Sequence, residues 1–175
     1  MAINALFAFL QFSSMPVIHL QTRVNAPIET CFDLSRSIDL HTISTAQTKE
    51  KAIAGRTNGL IELNETVTWQ ATHFGIRQKL TSKITALERP FHFRDEQVKG
   101  AFKYIKHDHY FKQDNEFVIM KDVFEFGAPL GLLGRLANKL VLTKYLTRFL
   151  VERNDLIKEY AETEKWKTVL NQPDL

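Results

Sequence analysis

The chain has 175 residues, of which 44% are apolar and 25% charged, enough for one globular domain with a sizeable core, and no repeat or low-complexity run divides it. Its 23 basic residues are scattered among 20 acidic ones, so a net charge of +3 comes without a basic block and no nucleic-acid partner is expected. The single Cys31 rules out an intramolecular disulfide and fits a reducing, cytoplasmic setting; with no CxxC or Cys/His cluster nearby, it reads as a buried helix residue.

Residues 1–14, MAINALFAFLQFSS, are apolar and uncharged. They are too short to span a bilayer, which takes about 20 apolar residues, and they lack the basic start and cleavage site of a secretory signal. They read as an extension before Met15, either a start assigned too early or an apolar arm that docks on the domain or on a partner subunit. Residues 17–24 alternate Ile18, Leu20, Thr22 and Val24 against His19, Gln21 and Arg23, the pattern of a strand with one buried face. Asn25-Ala26-Pro27 then opens a short helix over Ile28, Cys31, Phe32 and Leu34, followed by a second over about 38–46.

Strands are expected over 50–54 and 66–73. A turn at Phe74-Gly75 sets Trp69 opposite Leu80 and Val67 opposite Ser82, with Thr68/Thr81, Gln70/Lys79 and Thr72/Arg77 on the outer face. Strand character continues through Ile84, breaks at Arg89-Pro90 and resumes from Phe91 to Val98. The segment 93–126 reads as further strands with polar groups set on an apolar face. A two-residue turn at Asp114-Asn115 pairs Phe111 with Val118, His109 with Met120, His107 with Asp122 and Ile105 with Phe124. The other face then carries a cross-strand ion pair between Asp108 and Lys121. The interior face so defined comprises Ile18, Leu20, Val67, Trp69, Leu80, Ile84, Phe93, Ile105, His107, His109, Phe111, Val118, Met120, Asp122 and Phe124.

Leu130 to Thr163 lacks proline and predicts one long helix that turns Leu133, Leu136, Leu140, Phe149 and Leu156 toward the sheet. Its first half is apolar nearly all round, which suggests added contact with a lipid-like ligand, a membrane surface or the partner of a homodimer. No stable membrane insertion is expected. The main domain is expected over 15–165, with a tail at 166–175.

For His107 with Asp122 two readings stand side by side. The carboxylate orients an imidazole that exchanges a proton with a ligand, or the pair simply satisfies itself and fixes strand register. An ionised Asp122 raises the His107 pKa while burial lowers it. His109 faces no cross-strand acid in this register and is expected to reach a ligand directly. Asp95 and Gln97 share the face of Phe93, and Trp69 with His73 lines the same side as core or as ligand platform. Alternating strand positions hold the backbones of His107 and His109 about 7 Å apart, and no spacing matches a zinc pattern, so neither metal nor cofactor is expected. Ser/His/Asp order, GxSxG, HExxH and phosphate-cradling glycine loops are all missing, which disfavours covalent hydrolysis and nucleotide chemistry.

The order of elements, α+β with a closing helix across a curved sheet, comes with VNAPIETCFDL at 24–34, VTWQATHFGIRQKLTSKIT at 67–85 and APLGLLGRLANKLVLTKYLTRFLVERN at 128–154. Together with the pattern GxFxxxxHxHxF, here Gly100, Phe102, His107, His109 and Phe111, these segments resemble the START-like superfamily, and within it SRPBCC proteins labelled polyketide cyclase/dehydrase, ligand-binding or cell-division inhibitor. Ala101 departs from the commoner GPF. The resemblance implies a helix-grip fold of about seven strands and a deep apolar cavity between sheet and helix. It implies a hydrophobic small molecule as partner, lipid, polyketide, isoprenoid or aromatic, without fixing ligand or reaction. Residues expected around it are His107 and Asp122 as the catalytic pair, with His109, Trp69, His73, Phe93, Asp95, Gln97, Ile105, Phe111, Met120, Phe124, Leu133, Leu136 and Leu140 as the ligand-binding wall. The alternatives are a cyclase or dehydratase using His107 as general base, and a regulatory protein-interaction domain.

Overall fold

A computed structural model describes residues 16–73, 75–127 and 139–170. Strand β1 (Val17–Val24) leads into two short helices, α1 (Ile28–Ser35) and α2 (Ile38–Ser44), and a 3-10 turn at Ala46–Thr48. Six strands follow: β2 (Lys51–Gly55), β3 (Thr66–His73), β4 (Ile76–Glu88), β5 (His92–Lys99), β6 (Ile105–Asp114) and β7 (Phe117–Phe126). The long helix α3 (Lys139–Ala161), a 3-10 turn (Glu164–Trp166) and a one-turn helix α4 (Lys167–Leu170) complete the described chain.

All seven strands join one antiparallel sheet in the order β1-β7-β6-β5-β4-β3-β2, so α1 and α2 carry the chain from one sheet edge to the other. This is the helix-grip architecture: a curved sheet with α3 lying across it and packing on β1, α1 and α2. Local chemistry sets the short helices. Cys31, Phe32 and Leu34 turn α1 inward to full burial, and the Ser37 hydroxyl caps α2 by accepting from the Leu40 N–H at 3.2 Å. Phe32 meets Phe93 and Phe111 edge-on at 5.5 and 5.4 Å between centroids, which ties α1 to β5 and β6.

The β3–β4 register is the expected one, with Trp69 opposite Leu80, Val67 opposite Ser82 and Thr68 opposite Thr81. Gly75 takes φ +76°, a left-handed conformation that glycine adopts at no steric cost; Phe74 lies outside the described residues. The β6–β7 register is corrected. Asp114 pairs with Phe117, so the turn falls on Asn115-Glu116, one position later than expected, and Asn115 bears its left-handed φ of +55°. Every partner therefore moves by two: His109 faces Asp122, His107 faces Phe124, Phe111 faces Met120 and Ile105 faces Phe126. A shift of two preserves side-chain parity, so the interior residues still share one face. Nearly all of them are buried, while Leu20 and Leu80 are half-buried. On the outer face the Asp108–Lys121 ion pair gives way to Asp108 accepting from Arg94 Nε at 2.8 Å and His92 Nε2 at 2.7 Å.

Two expectations about the C-terminal part also change. Helix α3 is described only from Lys139, and its inward stripe runs Leu142, Leu146, Leu150, Arg153 with Asn154, Ile157 and Ala161. Leu140 is two residues out of phase with that stripe and 67% exposed, so it faces away from the sheet; Leu133 and Leu136 lie outside the described residues. Residues 166–170, expected as tail, pack on the domain, with Val169 6% exposed and Trp166 and Leu170 against the same core. Residues 1–15 and 171–175 lie outside the described residues. Among the described residues no helix is long and apolar enough to cross a membrane.

Candidate functional site

Between the sheet and the inward face of α3 lies a cavity of about 180 Å³. Its walls are mainly apolar: Trp69 and Ile84 from β3 and β4, Phe93 from β5, Ile105 and Phe124 from β6 and β7, Phe102 from the turn before β6, and Leu146, Phe149 and Leu150 from α3. Period-2 alternation delivers the sheet residues and period-3.6 spacing the helix residues to one space. Two groups of polar side chains interrupt the apolar wall.

The first group joins β5, β6, β7 and α3. Asp122, 2% exposed, accepts at Oδ1 from His107 Nε2 and His109 Nδ1, both at 2.9 Å, and at Oδ2 from Asn154 Nδ2 at 2.6 Å. The far nitrogen of His109, Nε2, donates to Asp95 Oδ2 at 3.1 Å, and His107 Nδ1 stands 3.8 Å from the same oxygen. The two imidazole rings approach to 3.7 Å between centroids, and Phe93 stacks on His109 at 4.1 Å. Side-chain rotation thus brings together two rings whose backbones alternate along β6, and the separation inferred from backbone spacing does not hold for them. Arg153 is 7% exposed; it donates to the Ser35 carbonyl at 2.6 Å and to Asn154 Oδ1 at 3.2 Å, and it lines the same cavity.

These contacts divide the protons between the rings. Burial, the largest influence on His109, disfavours its charge, but bonds to Asp122 and Asp95 outweigh it and hold its pKa above the ordinary histidine value. Burial and the adjoining His109 push His107 below that value despite Asp122. Of the two opposed influences on His107, burial therefore outweighs Asp122, and the raised pKa belongs to His109, which bridges two carboxylates. Burial likewise opposes the charge of Asp122, but bonds from both histidines hold its carboxyl well below the usual carboxylate range. Asp95 behaves the same way, burial being outweighed by the His109 bond and the charges around it.

The second group lies toward the other end of β3. His41 stacks on Trp69 at 4.1 Å with its Nε2 3.6 Å from the buried Glu50, and His73 Nδ1 shares a 2.7 Å hydrogen bond with Tyr145 Oη. Burial works against the Glu50 charge, yet the imidazoles of His41 and His73 beside it keep its pKa below normal.

Of the residues singled out in sequence, Trp69, His73, Phe93, Asp95, Ile105, His107, His109 and Phe124 line the cavity, and Asp122 sits behind the two histidines. Phe111 and Met120 belong instead to the core under α1, away from the cavity. Gln97 serves the loop before β6: its Nε2 donates to the Phe102 carbonyl at 2.8 Å, and a Cβ on Gly100 would stand 2.6 Å from Gln97 Oε1. The glycine of GxFxxxxHxHxF thus lets the ends of the Gln97 and Leu80 side chains lie close to the backbone of this loop. Sequence reasoning did not place Glu50, His41, Ser82, Tyr145 or Arg153 in the cavity. The signal available in sequence was the helical spacing that puts Arg153 in phase with Leu142, Leu146 and Leu150.

No family model matches the chain, and no curated protein matches it. Solved structures do. A protein of Thermus thermophilus is 14% identical with a TM-score of 0.63, the match covering 81% of this chain and 97% of that one. A START superfamily protein of Mycobacterium smegmatis is 9% identical at TM-score 0.63, over 83% and 97% of the two chains. Ginseng major latex-like protein 151 from Panax ginseng is 13% identical at TM-score 0.59, over 85% and 99%. At such identities the likeness is one of fold, and the chain has the START-like fold.

Proposed function

We propose that the protein binds a compact, mostly apolar small molecule with at least one oxygen at its polar end. What carries this reading is the union of an apolar wall with a buried polar cluster in one cavity, the usual make-up of small-molecule sites. Size narrows the ligand. At about 180 Å³ the cavity is close to the roughly 150 Å³ space that accommodates benzene, so among lipids, polyketides, isoprenoids and aromatics a ring compound or short chain fits better than a full-length lipid. The ligand's apolar body lies against Trp69, Phe93, Phe124 and Phe149, and its oxygen meets His107, Asp95 or Arg153.

Native mass spectrometry of protein purified without detergent, followed by organic extraction, tests this directly. A retained small molecule, lost when Leu146→Trp fills the cavity, is the expected result. A bare chain that also fails to take up any apolar fluorescent probe overturns the proposal.

A cyclase or dehydratase is the second reading, favoured by one observation. Asp122 holds His107 through Nε2, which leaves Nδ1 toward the cavity as a proton acceptor. His107→Gln then abolishes turnover while leaving binding within a fewfold; equal loss of both excludes His107 as a base.

A further inference from the structure

We propose that Asp95, His107 and His109 form a binding site for one divalent transition-metal ion at the polar end of the cavity. The inference goes beyond the small-molecule reading and stands without it, although the ion would face the same space.

The donor atoms already converge. Each residue offers one ligand atom and all three lie within 4.8 Å of one another. Asp95 Oδ2 is 3.1 Å from His109 Nε2 and 3.8 Å from His107 Nδ1. An ion about 2.0–2.2 Å from each ligand spans donors up to roughly 4 Å apart, so small side-chain rotations suffice to gather them. Imidazole with carboxylate suits zinc, iron and their neighbours, and two histidines with one carboxylate leave coordination positions open.

The surroundings are those of a ligand set held from behind. A metal-bound histidine ordinarily donates its other ring N–H to a carboxylate, which fixes tautomer and ring orientation. Here one carboxylate does so for both: His107 through Nε2 and His109 through Nδ1 donate to Asp122 Oδ1, while Asn154 holds Oδ2. The remaining nitrogens, His107 Nδ1 and His109 Nε2, are therefore the ones that point toward Asp95. Packing limits ring motion further, with Phe93 stacked on His109 and Phe124 edge-on to His107 at 5.0 Å.

Charge permits the exchange. Arg153 lines the same cavity and opposes a cation, but Asp95 and Asp122 supply two negative charges. The ion takes the place of the proton between His109 Nε2 and Asp95 Oδ2, and an anionic oxygen of water or of a bound ligand at an open position balances what remains. A closed ion network, in which His109 merely bridges the two acids, is the competing account of the same contacts.

The two accounts separate in solution. Untagged full-length protein is stripped with chelator, then titrated with Co²⁺ by visible absorption and with Zn²⁺ by calorimetry. Expected are one equivalent bound, Co²⁺ ligand-field bands displaced by Zn²⁺, and perturbation in NMR of the His107 and His109 rings but not of His19 or His92. His107→Gln and Asp95→Asn abolish the bands, and Asp122→Asn weakens affinity by about 10–100-fold as the loss of an orienting partner. No saturable binding by the wild-type protein, or binding that survives both ligand substitutions in folded variants, overturns the site. Because the wild-type rings are read directly, the test holds even where a variant fails to fold.

Discussion

Replacing Asp122 by asparagine keeps the side chain's shape and removes its charge, which makes it the sharpest probe of the buried cluster. Three hydrogen bonds end on this carboxylate, from His107, His109 and Asn154, and at 2% exposure water replaces none of them. The new amide keeps one oxygen for the imidazoles but turns its NH₂ toward the Asn154 NH₂ that stood 2.6 Å from Oδ2, so two buried donors face each other. Each charge-assisted bond is worth about 1.5–3 kcal/mol, and breaking a buried ion pair costs about 3–5 kcal/mol. His109 offsets part of the loss by giving up its proton. We therefore expect Asp122→Asn to destabilise the fold by about 3 kcal/mol near neutral pH. Urea titration at unchanged slope measures it. A loss under about 1 kcal/mol would refute the reasoning, since it would mean that the carboxylate is hydrated or that the three bonds contribute nothing net.

Further outcomes follow from the same structure. In metal-free protein, NMR titration should place His109 above and His107 below the ordinary 6.5. The sign is then fixed: the His109 contribution to stability is full below 6.5 and fades as pH rises through its folded pKa, while that of His107 is present above 6.5 and lost as pH falls through its folded pKa. On α3, Leu142→Ala should cost about 2–5 kcal/mol because Leu142 is 6% exposed, whereas Leu140→Ala should stay within about 0.5 kcal/mol; the reverse order in denaturant titration would put the helix in the wrong phase. Ending the chain after Lys165 removes the buried Val169 and should cost at least about 1.5–3 kcal/mol, against no change if those residues were a free tail.

The parts of this fold legible in sequence are those fixed by local rules. Alternation located β1, β3 and β4, and the Phe74-Gly75 turn aligned β3 with β4 on both faces at once. At the β6–β7 hairpin, Asp114-Asn115 and Asn115-Glu116 both preserve side-chain parity, so the apolar pattern cannot choose between them. The site stayed half-visible for that reason. His107, His109, Asp122 and Asp95 were named, but their pairing depends on which residues face across the strands and on ring rotations that no periodicity encodes. The near-uniform apolarity of residues 130–146 similarly hid the phase of α3, which Arg153 and Asn154 reveal once their partners on α1 and β7 are seen.

The stack of His41 on Trp69 gives the protein a built-in optical reporter. An imidazole lying 4.1 Å from an indole and tilted by only 29° provides a path for excited-state quenching, and both rings border the cavity. The chain's other tryptophan, Trp166, packs at the far C-terminal turn, outside the cavity lining. In a Trp166→Phe background all indole emission originates from the cavity wall, so a ligand that separates or desolvates the two rings announces itself by a change in lifetime, with no label attached.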